Sequence, residues 1–435
     1  MYTASVKPHL VIIGNGMAGT RLLEELLADA GHEYRISIFG AEPQLAYNRI
    51  LLSPVLAGES QQSDIQLHNK GWYSRHRIQL YTEDPVIHID TDNRFISSAS
   101  GVHLAYEKLV FATGASPVTP EPLRHNKSHH IHQFRTLNDV SQILKSSQTA
   151  ERAVILGGGL LGLEAAHGLN KAGLKVDVIH RGPWLMNRQL DETAATLLQA
   201  TLRKRGITAH SNCQMEQIEE ISDQQLNISL SNGEQLQTNM LVTAIGIRPN
   251  IQLALSSGLD CQQGILVNSQ LQTSVSDIYA LGECCQLGPH TFGLVAPIWE
   301  QAKALAAQLK GHHQQHYQPS PSATQLKVAG IDLFSAGDIS EQSPDTDAWR
   351  LEDIQQGTYR KLFFKEKKLT GVILYGGVSD GQWYFNLINN QQDISHLQPD
   401  MIFGESFCTQ KPNSDLHTPL ATQPETSAAH AFQNS

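Results

Sequence analysis

His9-Leu10-Val11-Ile12-Ile13 runs directly into Gly14-Asn15-Gly16-Met17-Ala18-Gly19, after which the leucines between Thr20 and Ala30 recur at helical spacing. A short apolar run, a glycine turn and an amphipathic helix form a strand-turn-helix unit. The order returns further along as Ala153 to Leu156, then Gly157-Gly158-Gly159-Leu160-Leu161-Gly162, then a helix from Leu163 to Ala172 closed by Gly173. In G-x-G-x-x-G one glycine makes the tight turn, the next lets the backbone approach a pyrophosphate, and the third lets helix pack closely on strand. The pyrophosphate rests on the helix N-terminus, where free N–H groups and the dipole favour an anion. One such turn is also compatible with a tight connection that binds nothing. Two, each leading into a further strand at Tyr34 to Phe39 and Lys175 to Ile179, predict two dinucleotide sites on parallel sheets.

The whole sequence frames that reading. Its 435 residues allow roughly three domains of about 150 each. With 40% hydrophobic and 17% charged residues it reads as an ordinary soluble protein, not a collagenous, coiled-coil or mostly disordered one. Lys and Arg number 32 against 42 Asp and Glu, and the net charge of -10 argues against nucleic acid or an anionic membrane as main partner. No apolar run is long enough for a membrane span and Met1 to Leu10 lacks a signal-peptide core, so a cytoplasmic location is expected. Five cysteines, Cys213, Cys261, Cys284, Cys285 and Cys408, contain no C-x-x-C pair, so neither a disulfide framework nor a zinc or iron–sulfur centre is encoded, and no metal is expected.

The copies differ where the adenosine ribose is read, near the end of the second strand. In the first, Glu42 is expected to accept the ribose hydroxyl, a solvated loop acid being the alternative. In the second the place holds His180-Arg181. This basic pair suits a 2′-phosphate and hence NADPH, while a surface arginine that tolerates NADH fits equally well.

Four further segments carry a resemblance: Tyr47-Asn48-Arg49-Ile50-Leu51-Leu52-Ser53, Phe111-Ala112-Thr113-Gly114, Ala244-Ile245-Gly246-Ile247-Arg248-Pro249-Asn250, and Ile278-Tyr279-Ala280-Leu281-Gly282-Glu283. With the two glycine turns they resemble the pyridine-nucleotide:disulfide oxidoreductase superfamily. Within it they are similar to the branch of nitrite reductase large subunits (their FAD/NAD(P)H-binding part), assimilatory nitrate reductase electron-transfer subunits, and rubredoxin and ferredoxin reductases. The resemblance implies FAD on the first turn and NAD(P)H on the second. It places Arg49 and the crossovers around Ala112, Thr113, Gly114 and Gly246 against cofactor, and gives Gly282-Glu283 the flavin ribityl chain. Read by itself, Glu283 is either a carboxylate beside a strand-end glycine, suited to a buried polyol, or a first-turn helix acid. The resemblance also points the helix expected at Gln301 to Leu309, preceded by Ala296 and Pro297, at the flavin pyrimidine ring; Trp299 is as readily core. Glu164 matches an acid near the nicotinamide, a first-turn helix acid favoured by the dipole being the alternative; in oxygenase-coupled ferredoxin reductases the matching acid pairs with a lysine. Here that lysine is replaced by Pro54 in Leu51-Leu52-Ser53-Pro54, so the pair is broken.

A polar linker, Gly311 to Ala323, precedes a third segment in which Tyr359 to Phe364 and Leu369 to Tyr375 read as strands joined by the charged turn Lys365 to Lys368. A helix follows at Gln382 to Asn389. Leu374-Tyr375-Gly376 with Ser379-Asp380-Gly381-Gln382-Trp383-Tyr384 resembles the C-terminal domain of the nitrate and nitrite branch, which faces a partner or a second subunit, as in a homodimer; Asp380 and Trp383 themselves read as structural. Gly404 to Ser435, rich in Ser, Thr, Pro, Gln and Ala, reads as a flexible tail.

The expected fold class is α/β, with two Rossmann-like dinucleotide-binding domains and a C-terminal α+β domain. Residues 1–122 and 245–315 form a discontinuous FAD domain, 123–244 the NAD(P)H domain, 324–403 the third domain and 404–435 the tail. Disulfide reductases, peroxidases and coenzyme A disulfide reductases need a cysteine after the first glycine turn, and none precedes Cys213. Nor does this sequence hold the cysteine-bearing iron–sulfur and siroheme segments of full nitrite reductases. The expectation is an FAD-dependent NAD(P)H oxidoreductase passing electrons to an external nitrate or nitrite reductase. A rubredoxin or ferredoxin acceptor is the alternative, and a nucleotide-binding flavoprotein with a structural or signalling role belongs to another class.

Overall fold

The computed structural model describes residues 7–409 apart from 29–32, 127, 224, 322, 329, 341–345, 354 and 398–399, and it turns the repeated glycine turn into two matching sheets. The first runs Ile278–Ala280, Lys108–Phe111, His9–Ile13, Arg35–Phe39 and Ile78–Tyr81 in spatial order, all parallel. The second runs Ile131–Gln133, Met240–Thr243, Arg152–Leu156, Lys175–His180 and Ile207–Ser211, again all parallel. The glycine-turn strand is central in both. His9–Ile13 is buried at every residue, as a parallel strand covered on both faces must be, which is why Leu10 to Ile13 are continuously apolar instead of alternating. The repeat extends beyond the turns, since each unit also carries a three-stranded antiparallel meander, 86–105 in the first and 215–238 in the second.

Both helices start earlier than their leucine spacing predicts, at Met17–Leu27 and Leu160–Lys171. The apolar period does not register the last glycine of each turn as helical, yet each lies inside the first turn of its helix. A Cβ on Gly19 would stand 2.2 Å from the Gly14 carbonyl oxygen, and one on Gly162 1.8 Å from that of Gly157. The expected end of the first helix, Ala30, lies outside the described residues.

Two crossovers join the units. Ala115–Pro117 pairs antiparallel with Ile247–Pro249, and Asn250 locks them together: its backbone N–H donates to Gly114 O at 2.9 Å and its Nδ2 to Thr113 O at 2.8 Å. The first sheet is therefore completed by a strand that returns after the second unit. One segment departs from this division. Tyr47, Leu52, Val55, Leu56 and Ile65, early in the chain, pack into the core of the second unit with Leu163, Ala166 and Leu169.

The third segment holds more strands than its apolar runs disclose. Its antiparallel sheet runs Ala323–Val328, Ile331–Gly337, Lys368–Tyr375, Thr358–Lys365 and Thr346–Asp353. Thr358–Lys365 alternates: Leu362 and Phe364 join Tyr384, Leu387 and Ile388 of the covering helix Gly381–Asn389, while Tyr359 and Phe363 join the core of the second unit. Asp380 pairs with Arg360 at 2.9 Å, and Trp383 lies against Tyr384. The expected tail begins instead with a short helix, Glu405–Thr409; residues 410–435 lie outside the described residues. Among the described residues no helix is long and apolar enough to cross a membrane.

Candidate active site

All three units meet around one cavity of about 930 Å³. The first glycine turn contributes Gly14, Gly16, Met17 and Ala18; Glu42, Arg49 and the crossover Ala112, Thr113 and Gly114 line it further, with Glu283 and Ala296. Leu160, Leu161 and Glu164 come from the start of the second glycine-turn helix, and Ala323, Thr324, Gln325 and Leu326 from the edge of the third sheet. Gly19, Gly157, Gly159, Gly162, His180, Arg181, Gly246, Gly282 and Pro297 are not among the lining residues.

The two glycine turns share one geometry. Gly14 and Gly157 both have φ +122°, and a Cβ there would stand 2.0 Å from the Ala112 carbonyl oxygen or 2.3 Å from that of Ala244. No L side chain fits. Gly16 and Gly159, in contrast, face open space with nothing within 4 Å of a Cβ. Each is the N-cap of its helix, neither helix has a side-chain cap or a first-turn acid, and the first-turn N–H groups are left for an anion. A cradle of this shape fits a dinucleotide pyrophosphate. Two buried donors of the cavity wall, Asn15 Nδ2 and Arg135 Nε, have no partner among the described residues, as expected where a ligand supplies the acceptors.

Ionic and polar groups follow the same wall. Glu42 accepts from Arg49 and, at 2.6 Å, from the Tyr47 hydroxyl. Arg49 donates on to the Arg135 carbonyl oxygen at 2.9 Å, and Arg135 pairs with Glu283. Burial works against the Arg49 charge, but Tyr47 and Glu42 outweigh it and hold the guanidinium above its usual range. Burial and Glu42 push the Tyr47 phenol up although Arg49 opposes them. Arg135 belongs to none of the motifs read from the sequence. The local signal for it is the capping box beside it, in which Thr136 and Asp139 cap the helix Leu137–Ser147 and fix the residue before it at the cavity.

Glu283 stands on a 3₁₀ turn, Gly282–Cys284, after the strand Ile278–Ala280, so it belongs neither to a strand end nor to an α-helix. The helix expected from Gln301 begins at Val295 and runs to Leu309. Pro at the third position is compatible with its first turn, because the missing N–H has no intrahelical acceptor there. Ala296 and Trp299 line the cavity and Pro297 does not; Arg21 lies over the Trp299 ring at 5.6 Å.

Glu164 receives the Ser53 hydroxyl as donor. Burial raises its carboxyl above the ordinary range, and the Ser53 bond opposes the shift without reversing it. His180 turns away from the role of a cation. Its Nδ1 accepts from Gly158 N–H at 3.2 Å, its Nε2 faces Asn187 Oδ1 at 3.2 Å, and burial lowers its pKa. The basic pair thus reduces to Arg181, which is exposed. Cys284 and Cys285 are fully buried, donate to the Leu281 and Gly282 carbonyls at 3.2 and 3.3 Å, and have thiols pushed up by burial. Such thiols are inert packing groups.

Comparison with known proteins gives the following. A family model described as pyridine nucleotide-disulphide oxidoreductase matches residues 8–307, and one described as the rubredoxin NAD+ reductase C-terminal domain matches residues 321–392. The chain is 42% identical to the assimilatory nitrate reductase electron transfer subunit of Bacillus subtilis (strain 168) over 92% of its own length and 52% of that protein. It is 42% identical to a nitrite reductase [NAD(P)H] of the same organism over 89% of its length and 48% of that protein. The chain thus spans about half the length of these curated relatives. A rubredoxin-NAD(+) reductase of Acinetobacter baylyi is 30% identical, over 90% of this chain and 98% of that one. Among solved structures, a covalent putidaredoxin reductase–putidaredoxin complex superposes with a TM-score of 0.82 at 24% identity, covering 92% of this chain and 97% of that chain. At that identity the likeness is one of fold.

Proposed function

The chain belongs to the pyridine nucleotide-disulphide oxidoreductase family, and from that premise we propose that it takes electrons from NAD(P)H by way of FAD and passes them to a separate redox protein, a nitrate or nitrite reductase. The observation that carries this reading is the shared cavity. The first glycine turn, the start of the second glycine-turn helix and the edge of the third sheet all open into it, and no cysteine is among its lining residues. Two nucleotides can meet there, and no thiol stands ready to take the electrons within the chain.

FAD, when bound, supplies the capacity to accept a hydride and to return electrons singly. The chain's own residues bind, orient and exclude water. Gly14, Gly16 and Gly19 with the helix N-terminus behind them would hold the FAD pyrophosphate, with Arg49 and Arg135 as the nearby cations, Glu42 at the adenosine ribose and Glu283 at the ribityl chain. Gly157, Gly159 and Gly162 would do the same for NAD(P)H, with Arg181 at its ribose. Glu164, whose carboxyl burial biases toward the protonated form, would hold or release a proton where the second turn reaches the cavity, and Ala323 to Leu326, which line the same space, would help exclude water. On this assignment residues 1–122 with 245–315 are the FAD unit, 123–244 the NAD(P)H unit and 324–403 the closing domain.

Anaerobic NAD(P)H should bleach the visible flavin absorption of the purified chain within seconds, and the bleached protein should be reoxidised by a nitrate or nitrite reductase module but not by rubredoxin. An unbleached flavin would sink the reading. A rubredoxin acceptor is the second reading, favoured by the match of the third domain and by the 98% coverage of the Acinetobacter relative; preferential reoxidation by rubredoxin would select it.

A further inference from the structure

Away from the cavity, two neighbouring imidazoles and a distant carboxylate converge on one point of the second unit's surface. His129 and His130 lie in the turn before the strand Ile131–Gln133, Glu220 lies on the meander strand Met215–Ser222, and one donor atom from each lies within 4.8 Å of the other two. The two rings lie against each other at a tilt, their centroids 3.9 Å apart and their planes at 40°. His130 Nε2 stands 2.8 Å from the backbone carbonyl oxygen of Asp223. A carbonyl can only accept, so Nε2 carries the proton and the lone pair is left on Nδ1. A ring N–H given to a backbone carbonyl is the outer contact that metal-bound histidines make, because it fixes the tautomer and orients the ring. Neither His129 nor Glu220 has a side-chain hydrogen bond or ion pair among the described residues, so their donor atoms are free.

We propose that His129, His130 and Glu220 form a binding site for a divalent first-row transition ion of the zinc class, with water completing its shell. Two imidazoles and one carboxylate are a donor set that zinc takes while keeping a position open. Imidazole selects against magnesium and calcium, which prefer oxygen. A bound ion would clip the turn at 129–130 to the meander at 215–222, beside the contact that His130 Nε2 already makes with the Asp223 carbonyl. None of the three residues lines the cavity, so the site is independent of the redox reading. The cysteine count set aside cysteine-based centres and is silent on one built from histidine.

Equilibrium dialysis of the full-length chain, stripped with EDTA and titrated with Zn²⁺, tests this. One equivalent should bind tightly, survive excess Mg²⁺, and weaken by about tenfold or more in both His129→Ala and Glu220→Gln. Substituting His312, His313 and His316 by alanine should leave it unchanged. Cu²⁺ bound to the unaltered chain should show an electron paramagnetic resonance spectrum split by two imidazole nitrogens, falling to one in His129→Ala. Equal melting temperatures in EDTA confirm that the variants are folded. Absence of the equivalent in the unaltered chain, its persistence in the triple variant His129→Ala/His130→Ala/Glu220→Gln, or its loss on removing the 312–316 histidines instead, overturns the proposal.

Discussion

The Ser53 hydroxyl donates to a Glu164 carboxylate oxygen across 111 positions of sequence, tying the short helix Leu52–Leu56 to the second glycine-turn helix at the cavity wall. The bond favours the charged carboxylate and so opposes the upward push of burial. Removing it in Ser53→Ala should move the Glu164 titration higher. If Glu164 holds a proton beside the reacting atoms, the pH profile of NAD(P)H-dependent flavin reduction should shift to higher pH in that variant. A profile unmoved by Ser53→Ala would remove Glu164 from the chemistry.

The same carboxyl links pH to stability. Its value is raised in the folded chain, so its favourable contribution is complete below the unfolded value of about 4.3 and is lost as pH rises through the folded value. An amide in its place does not titrate. The melting temperature of Glu164→Gln relative to the unaltered chain should therefore climb from about pH 4 toward neutrality, and a flat difference would show that Glu164 is not shifted.

The first two glycines of the first turn should fail in opposite ways. Gly14→Ala sets a Cβ 2.0 Å from the Ala112 carbonyl at a backbone angle that L residues avoid, and it should cost more than about 2 kcal/mol of stability by denaturant titration. A Cβ on Gly16 meets nothing within 4 Å, so the Gly16→Val apoprotein should melt as before while flavin is lost. Gly159→Val, its counterpart in the second turn, should keep the flavin and raise the NAD(P)H requirement. A flavin-loaded Gly16→Val would disprove the cradle.

These glycines explain what is legible in the sequence. A turn that only glycine can make is written in consecutive residues, and so are the buried parallel strands beside it. The outer strand Thr346–Asp353 is polar and mostly exposed, and therefore has no apolar run to announce it. Ala323–Val328 and Ile331–Gly337 are equally silent, because their short mixed sequences follow a polar linker. The capping box marks where Arg135 stands, but its ionic partner Glu283 lies 148 positions away, a distance that no local pattern spans. His180 reads by type as basic, but burial lowers its pKa although the Asn187 contact opposes this, and its ring braces the loop through Gly158 N–H and Asn187.

With His180 neutral, nucleotide preference should rest on Arg181. Arg181→Glu should lower NADPH efficiency relative to NADH by about tenfold, the lower end of what a charged hydrogen bond contributes, since the side chain is exposed. His180→Ala should disturb both nucleotides alike. Steady-state kcat/KM ratios decide, and an unchanged ratio in Arg181→Glu would assign the preference elsewhere.

Asp191 holds the third sheet to the second unit with two oxygens that do different work. Oδ1 caps the helix Glu192–Lys204 by accepting from Ala194 N–H at 3.0 Å. Oδ2 accepts from the Tyr359 hydroxyl at 2.5 Å and from Lys361 Nζ at 2.9 Å. Lys361 is 9% exposed, so deleting Asp191 takes a charged partner from a nearly buried ammonium. Asp191→Ala should destabilise by about 2.5 to 4 kcal/mol, of which the lost cap is about 1 and the charged hydrogen bond about 1.5 to 3. Asp191→Asn keeps the capping oxygen but sets an NH2 donor where Oδ2 accepted from Tyr359 and Lys361, so it should recover only the cap's share of the loss; Tyr359→Phe should cost about 1 kcal/mol. Because Ala323 to Leu326 of the same sheet line the cavity, Asp191→Ala should also bind flavin more weakly although Asp191 is not itself a lining residue. Denaturant titration and flavin release under dilution measure the two effects. A stable Asp191→Ala with loosened flavin, or an unstable one with flavin held as before, would separate the clamp from the cavity and refute the coupling.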